Sequence, residues 1–208
     1  MNVISPSFEI LEDVKPLEIL NKLEFYARTC YKSEGQATEN TTEPFIRRLI
    51  SSGHESVIEH EKITVKLICD RGVSHQIVRH RIASYSQEST RYCNYAQNRF
   101  GNELTFIIPS FWVNDSQKYE IWEKQMQAIE DSYINLIQLG ATPEQARSIL
   151  PNSLKTEIII TMNLREWRHF FKLRTSIHAH PQMREISIPM LRKFCELLPP
   201  LFDDIQPG

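Results

Sequence analysis

Residues 62–91 read KITVKLICDRGVSHQIVRHRIASYSQESTR. Over the first eight, Ile63, Val65, Leu67 and Cys69 alternate with Lys62, Thr64 and Lys66, the period-two pattern of a half-buried strand. Gly72 then opens a short helix that carries His75 and Gln76 into Arg79-His80-Arg81. The six glycines of the chain, at 35, 53, 72, 101, 140 and 208, build neither G-x-G-x-x-G nor a P-loop. A dinucleotide bound here must be held by side chains and not by a Gly-rich turn at a helix N-terminus, which argues against a Rossmann domain.

The second half of the stretch, Arg79 to Arg91, holds three arginines, a histidine, three serines and a threonine. Between residues 71 and 100 there are five Arg, no Lys and one acid, Glu88, whereas the whole chain carries a net charge of −2. Positive charge is therefore local, and all of it is guanidinium, the planar fork that suits phosphate or carboxylate. On a strand Arg79 and Arg81 share a face; on a helix they point about 200° apart and serve two anions. Ser84, Ser86, Ser89 and Thr90 favour a turn offering N–H groups and hydroxyls to an anion, with Arg91 closing it. Tyr85, Tyr92 and Tyr95 are interleaved and able to stack on a flat ring. An internal salt-bridge network is the competing explanation for such a cluster, but one acid against five arginines leaves it unbalanced. The pattern points to a phosphorylated, aromatic ligand.

Arg79, His80, Arg81, Ser84, Ser89 and Arg91 satisfy every fixed position of R-H-R-x-x-S-x-x-x-x-S-x-R. This resembles the signature of the flavin-dependent thymidylate synthases, which methylate dUMP with 5,10-methylenetetrahydrofolate and reduced FAD. Further segments between 42 and 180 resemble the same family: Gly53-His54-Glu55 with Glu59-His60, Ala146-Arg147 with Leu150-Pro151, Asn163 with Arg165, and Leu173-Arg174 with His178-Ala179. The resemblance implies that His54, Ser56, Arg79, His80, Arg81, Gln87, Asn163, Arg165 and His169 bind FAD. It implies that Gln76, Arg79, Gln87, Glu88, Ser89, Thr90, Arg91, Arg147 and Arg174 bind dUMP, with Arg174 catalytic. It also implies NADPH as reductant, no metal, and a homotetramer with sites shared between subunits. The chain departs from the family pattern at Gln87, where many relatives carry Glu, and at Ser86, where they carry Asn. Gln87 cannot act as a base.

The histidines of His54-Glu55-Ser56-Val57-Ile58-Glu59-His60 are six apart, about 240° around a helix, so the zinc arrangement of H-E-x-x-H is not available. Cys30, Cys69, Cys93 and Cys195 are scattered and read as reduced thiols of a cytoplasmic protein. Cys93 is the only thiol near the arginines and lacks the context of a cysteine-nucleophile methylase. A single-strand nucleic-acid module would use the same Arg and Tyr, but the pI near 6.4 and the absence of lysine from the patch give it no extended basic footprint. No run approaches the ~18 apolar residues of a membrane span, and residues 1–15 lack the pattern of a signal peptide.

Elsewhere, residues 2–11 alternate weakly as a first strand, and Leu20, Leu23, Ala27 and Cys30 recur at helical spacing after Pro16. Residues 33–41 are polar and read as a loop; Thr42 caps a helix that Gly53 ends. Leu104, Phe106 and Ile108 form a strand stopped by Pro109. A long amphipathic helix from Asp115 to Gly140 carries Trp122, Met126, Ile129, Tyr133 and Ile137 on one stripe. Pro143 starts a short helix bearing Arg147, and Leu154 to Met162 alternate as a strand. Asn163 with Glu166 resembles a capping box for a helix over 164–174, on which Arg165, Arg168 and Lys172 line one side. A last helix over about 182–198 ends at Pro199-Pro200. Strands and helices do not alternate regularly, so the reading is α+β: a single domain over 1–208 with a mixed or antiparallel sheet and packed helices.

Overall fold

The computed structural model describes residues 1–30, 32–33, 41–98 and 101–208; of the loop expected over 33–41, residues 34–40 lie outside the described residues. The strands are β1 (Asn2–Ile4), β2 (Ser7–Ile10), β3 (Lys62–Asp70), β4 (Ala83–Gln87), β5 (Thr105–Ile107) and β6 (Lys155–Asn163). The helices are α1 (Pro16–Thr29), α2 (Thr42–Ser51), α3 (Arg71–Ile77), α4 (Ser116–Gln138), α5 (Pro143–Ala146), α6 (Leu164–Arg174), α7 (Pro181–Leu197) and α8 (Pro199–Phe202). Strands β2, β3, β6 and β4 form one sheet in that order, and β1 pairs in parallel with β5, Val3 opposite Phe106. The α+β class read from the irregular order of elements is the class observed. No described helix is long and apolar enough to cross a membrane.

The chain divides into two compact units. The first comprises Met1–Phe8, Lys66–Arg79 and Tyr85–Ile159. Its core is the stripe expected on α4: Trp122, Met126 and Tyr133 are buried with Tyr95, Leu104, Phe106, Ala146 and Leu154. Side-chain caps start its helices α3, α4 and α5, with Asp115 accepting from the Lys118 amide at 3.2 Å on α4. Asp70 accepts from the Val73 amide at 2.7 Å to start α3, and Thr142 with Gln145 makes a full capping box on α5.

The second unit comprises Glu9–Val65, His80–Ser84 and Ile160–Gly208. Its core is aromatic: Trp167 stacks on Phe171, both touch Phe194, and the Trp167 indole N–H donates to Ile63 O at 2.9 Å. Gly53 takes φ +74°, the left-handed turn that ends α2 and aims the chain into the 3-10 turn Glu55–His60.

Four local expectations change. Thr41, not Thr42, occupies the N-cap of α2, because the Thr42 hydroxyl turns inward to Glu24 at 2.5 Å. Residues 2–11 break into β1 and β2 at Pro6. Ser84 and Ser86 lie in strand β4, where cross-strand pairing outweighs their preference for turns, and the turn is confined to Ser89–Tyr92, closed by the Tyr92 amide on Ser89 O at 3.1 Å. Arg168, which the spacing sets in one row with Arg165 and Lys172, is withdrawn from solvent: it is 1% exposed. Its guanidinium makes two bonds to Asp204, at 2.6 and 2.7 Å, one to Glu55 at 3.1 Å and one to Leu201 O.

Candidate active site

In the second unit, helix α6 collects the residues expected at the flavin. Asn163 caps it through the Glu166 amide at 2.8 Å, which orients everything downstream. Helix α3 stops at Ile77, so residues 79–81 are not helical; Arg79 and Arg81 are exposed while His80 between them is buried. His80 Nδ1 lies 2.9 Å from Glu166 Oε1, and Arg174 Nε donates to His80 Nε2 at 3.0 Å. The rings of His169 and Phe170 pack on the same imidazole at 5.5 and 5.0 Å. Burial pulls the pKa of His80 below 6.5; Glu166 opposes that shift and the charge of Arg174 reinforces it.

Ligand atoms of His80, Glu166 and His169 lie within 4.8 Å of one another, a spacing that a cation could bridge. Nδ1 of His80 faces Glu166 and Nε2 faces a guanidinium, so both ring nitrogens are engaged in a hydrogen-bond chain.

A cavity of about 520 Å³ opens beside this chain, lined among others by Asn163, Arg165, His169, Lys172 and the apolar Ile82. Cationic and amide donors next to an apolar wall fit part of a phosphorylated flavin. The same wall holds Glu55 and Glu59, and Arg165 pairs with Glu59 at 2.5 Å. His54 and Ser56 line a different cavity of about 270 Å³ with Arg48 and Phe45, so the structure does not bring them together with Arg165.

In the first unit stand Gln76, Arg79, Gln87, Glu88, Ser89, Thr90, Arg91 and Arg147; Arg174, grouped with them from sequence, belongs to the second. Glu88 is held on three sides: Lys155 Nζ at 3.0 Å, the Tyr95 hydroxyl at 2.8 Å and the Glu157 amide at 3.2 Å. Burial lowers the affinity of Lys155 for its proton, but hydrogen bonds to Glu157 and Glu88 outweigh it and the pKa rises. Glu157 is held below its ordinary carboxylate value by Lys155 and Lys66. Ser89 Oγ accepts from the Arg91 amide at 3.3 Å and Thr90 is buried, so the turn is built by its own side chains. Arg91 Nε reaches Glu144 at 2.8 Å, while Arg147 ends α5 exposed to solvent.

A cavity of about 610 Å³ lies against Ser86, Gln87, Glu88 and Lys155. Gln87 Nε2 donates to Ser74 Oγ at 3.0 Å and to Thr156 Oγ1 at 3.1 Å, and the Ser74 hydroxyl itself donates to Arg71 O at 2.9 Å. Position 87 therefore calls for a donor, which an amide supplies and a carboxylate does not.

The family model described as thymidylate synthase complementing protein matches residues 17–200. The chain belongs to the thymidylate synthase complementing protein family. It is 38% identical over 197 residues to the flavin-dependent thymidylate synthase of Pyrococcus furiosus, covering 93% of this chain and 78% of that one. To the flavin-dependent thymidylate synthase of Geobacter sulfurreducens it is 38% identical over 189 residues, with 88% and 80% covered. The solved UMP/dUMP methylase PolB from Streptomyces cacaoi bound with 5-Br dUMP superposes with a TM-score of 0.78, covering 98% of this chain and 96% of that one at 23% identity. That likeness is one of fold.

The residues that the sequence singles out for the site fall into two sets, one per unit. Sequence reasoning gave Lys155 no role and saw Glu166 only as a cap. The alternation of β6 hides Lys155 among strand residues, and position N3 of α6 explains Glu166 without any partner.

Proposed function

We propose that this protein is the flavin-dependent enzyme that converts dUMP to dTMP. In this reading 5,10-methylenetetrahydrofolate gives the one-carbon unit and FAD reduced by NADPH gives the hydride. The observation that carries it is the family match over residues 17–200 together with an intact arginine–serine motif at 79–91.

The phosphate of dUMP carries about two negative charges at neutral pH. The Ser89–Thr90–Arg91 turn and Arg147 supply hydroxyl, amide and guanidinium donors for it. Uracil must gain electron density before C5 attacks a one-carbon unit, and Arg174 against the pyrimidine edge stabilises an N3-deprotonated or enolate-like ring. His80, Arg81, Asn163, Arg165 and His169 hold FAD. Arg79, Gln87, His54 and Ser56 complete its surroundings through the sharing of sites between subunits, since His54 and Ser56 stand apart from Arg165 within one chain. Gln76 and Glu88 complete the surroundings of dUMP. When bound, reduced FAD supplies the two electrons that turn a methylene into a methyl group. The enzyme acts as one catalytic domain over 1–208, as a homotetramer sharing sites between subunits, in the cytoplasm, without nucleic acid or membrane as partner.

Reconstitution tests the reading. Protein supplied with dUMP, 5,10-methylenetetrahydrofolate, NADPH and FAD is expected to form dTMP, and omission of FAD from stripped protein to abolish it. Folded, flavin-loaded protein that forms none would refute it.

A further inference from the structure

We propose that Glu166 is the positioning residue for Arg174, acting through the imidazole of His80. The inference rests on the functional reading above in taking Arg174 as the group that faces the pyrimidine.

Glu166 occupies the third position of α6, where an acid ordinarily reaches back to close a capping box. Asn163 makes its half of that box, but the Glu166 carboxylate goes to His80. Glu166 is 8% exposed and His80 4%, so this is a buried carboxylate facing a buried ring. The partner on the far side fixes the proton. A guanidinium has only donors, so Nε2 of His80 must accept from Arg174, the imidazole proton must sit on Nδ1, and Glu166 must accept it.

Glu166, His169, Phe170 and Arg174 are spaced i, i+3, i+4 and i+8, one face of α6, and the imidazole lies along that face. Packing by His169 and Phe170 fixes the plane of the ring, and Glu166 fixes which nitrogen carries hydrogen. With the proton on Nε2, two donors would confront each other and Arg174 would turn away. Among the described residues, the titratable and charged groups that act on the ring include Glu166, Arg174 and His169, and burial pulls the imidazole toward its neutral form. A carboxylate behind a histidine selecting its tautomer is a recurrent device for aiming the group in front.

The test combines Glu166→Ala and Glu166→Gln with nitrogen NMR of the His80 ring. Wild-type protein is expected to show the Nδ1–H tautomer. Glu166→Ala should populate Nε2–H and lose dTMP turnover by ~10-fold or more, the scale of losing such a carboxylate. Glu166→Gln keeps an oxygen acceptor and should restore both the tautomer and most of the turnover. An Nε2–H ring in the wild type overturns the proposal, as does a folded Glu166→Ala protein with unchanged tautomer or turnover. If Glu166→Ala does not fold, the wild-type and Gln spectra still decide. The ring measurement does not depend on dTMP formation, so failure of the functional reading would show separately, in wild-type protein that makes no dTMP.

Discussion

Lys155 Nζ, on β6, lies 3.0 Å from Glu88 Oε2, the residue that leads from β4 into the Ser89–Arg91 turn. Both side chains are largely withdrawn from solvent, at 19% and 13% exposure. The pair therefore pins the start of the turn to the sheet. Replacing Lys155 by Ala leaves a half-buried carboxylate with one charge-assisted bond fewer, a loss of ~1–3 kcal/mol. We expect the denaturant midpoint to fall with an unchanged slope, and the dUMP requirement to rise with the loosened turn. Unchanged stability and dUMP requirement would show that Glu88 is held by Tyr95 and the Glu157 amide alone.

Gln87 gives a prediction about a substitution that keeps the shape of the side chain and removes its donor. Glu at 87 would point oxygen at Ser74 Oγ, whose hydrogen is committed to Arg71 O. Gln87→Glu is expected to cost ~1 kcal/mol in thermal or urea unfolding. Replacing Ser74 by Ala in the same protein should relieve part of that cost. Equal stability of Gln87→Glu and wild type would mean that the hydroxyls reorient freely.

Arg174→Lys separates charge from geometry. Lysine keeps the cation at the C-terminal end of α6, a helix-dipole benefit of ~0.3–1 kcal/mol, and gives up the bond from Nε to His80, so unfolding should shift by only about 1 kcal/mol. It loses the planar fork that His80 orients, and dTMP formation should fall by more than ~10²-fold. Flavin reduction by NADPH, measured alone, should be affected far less. Near-normal dTMP formation by folded, flavin-loaded Arg174→Lys would remove Arg174 from the chemistry.

Arg168 predicts a pH effect on stability rather than on turnover. Its hydrogen bonds hold the Asp204 carboxyl below the usual 3.8. A depressed folded pKa contributes stability that is present above the unfolded value and is lost as pH falls through the folded one. The urea midpoint should thus decline below pH 3.8, and Arg168→Leu should flatten that part of the decline. The same substitution at neutral pH should destabilise towards the lower end of ~3–5 kcal/mol, since Asp204 is 46% exposed. A decline of the same shape in Arg168→Leu would assign it to other carboxylates.

The elements with strong periodicity were readable in the sequence. The alternation at Ile63, Val65, Leu67 and Cys69 is β3, the stripe Trp122-Met126-Tyr133 is the core face of α4, and Asn163 caps α6 as its side chain suggests. What the sequence hides is where a polar side chain goes once its local explanation is complete. Glu166 looks finished as a cap residue, Thr42 as an N-cap and Arg168 as one of a basic row. Each instead answers a partner from a distant segment: His80, Glu24, and Asp204 with Glu55. The arginine motif at 79–91 pointed to a ligand class, but not to its serines at 84 and 86 lying in a strand or to His54 lining a cavity apart from Arg165.

The most direct test of flavin-dependent methylation follows electrons. A methylene becomes a methyl only by gaining two, which come either from reduced flavin or from the folate itself, leaving dihydrofolate. Protein reduced with NADPH without oxygen, then mixed with dUMP and 5,10-methylenetetrahydrofolate in a single turnover, is expected to give one dTMP per flavin reoxidised, with tetrahydrofolate as the folate product. dTMP formed with the flavin still reduced and dihydrofolate accumulating would contradict the account.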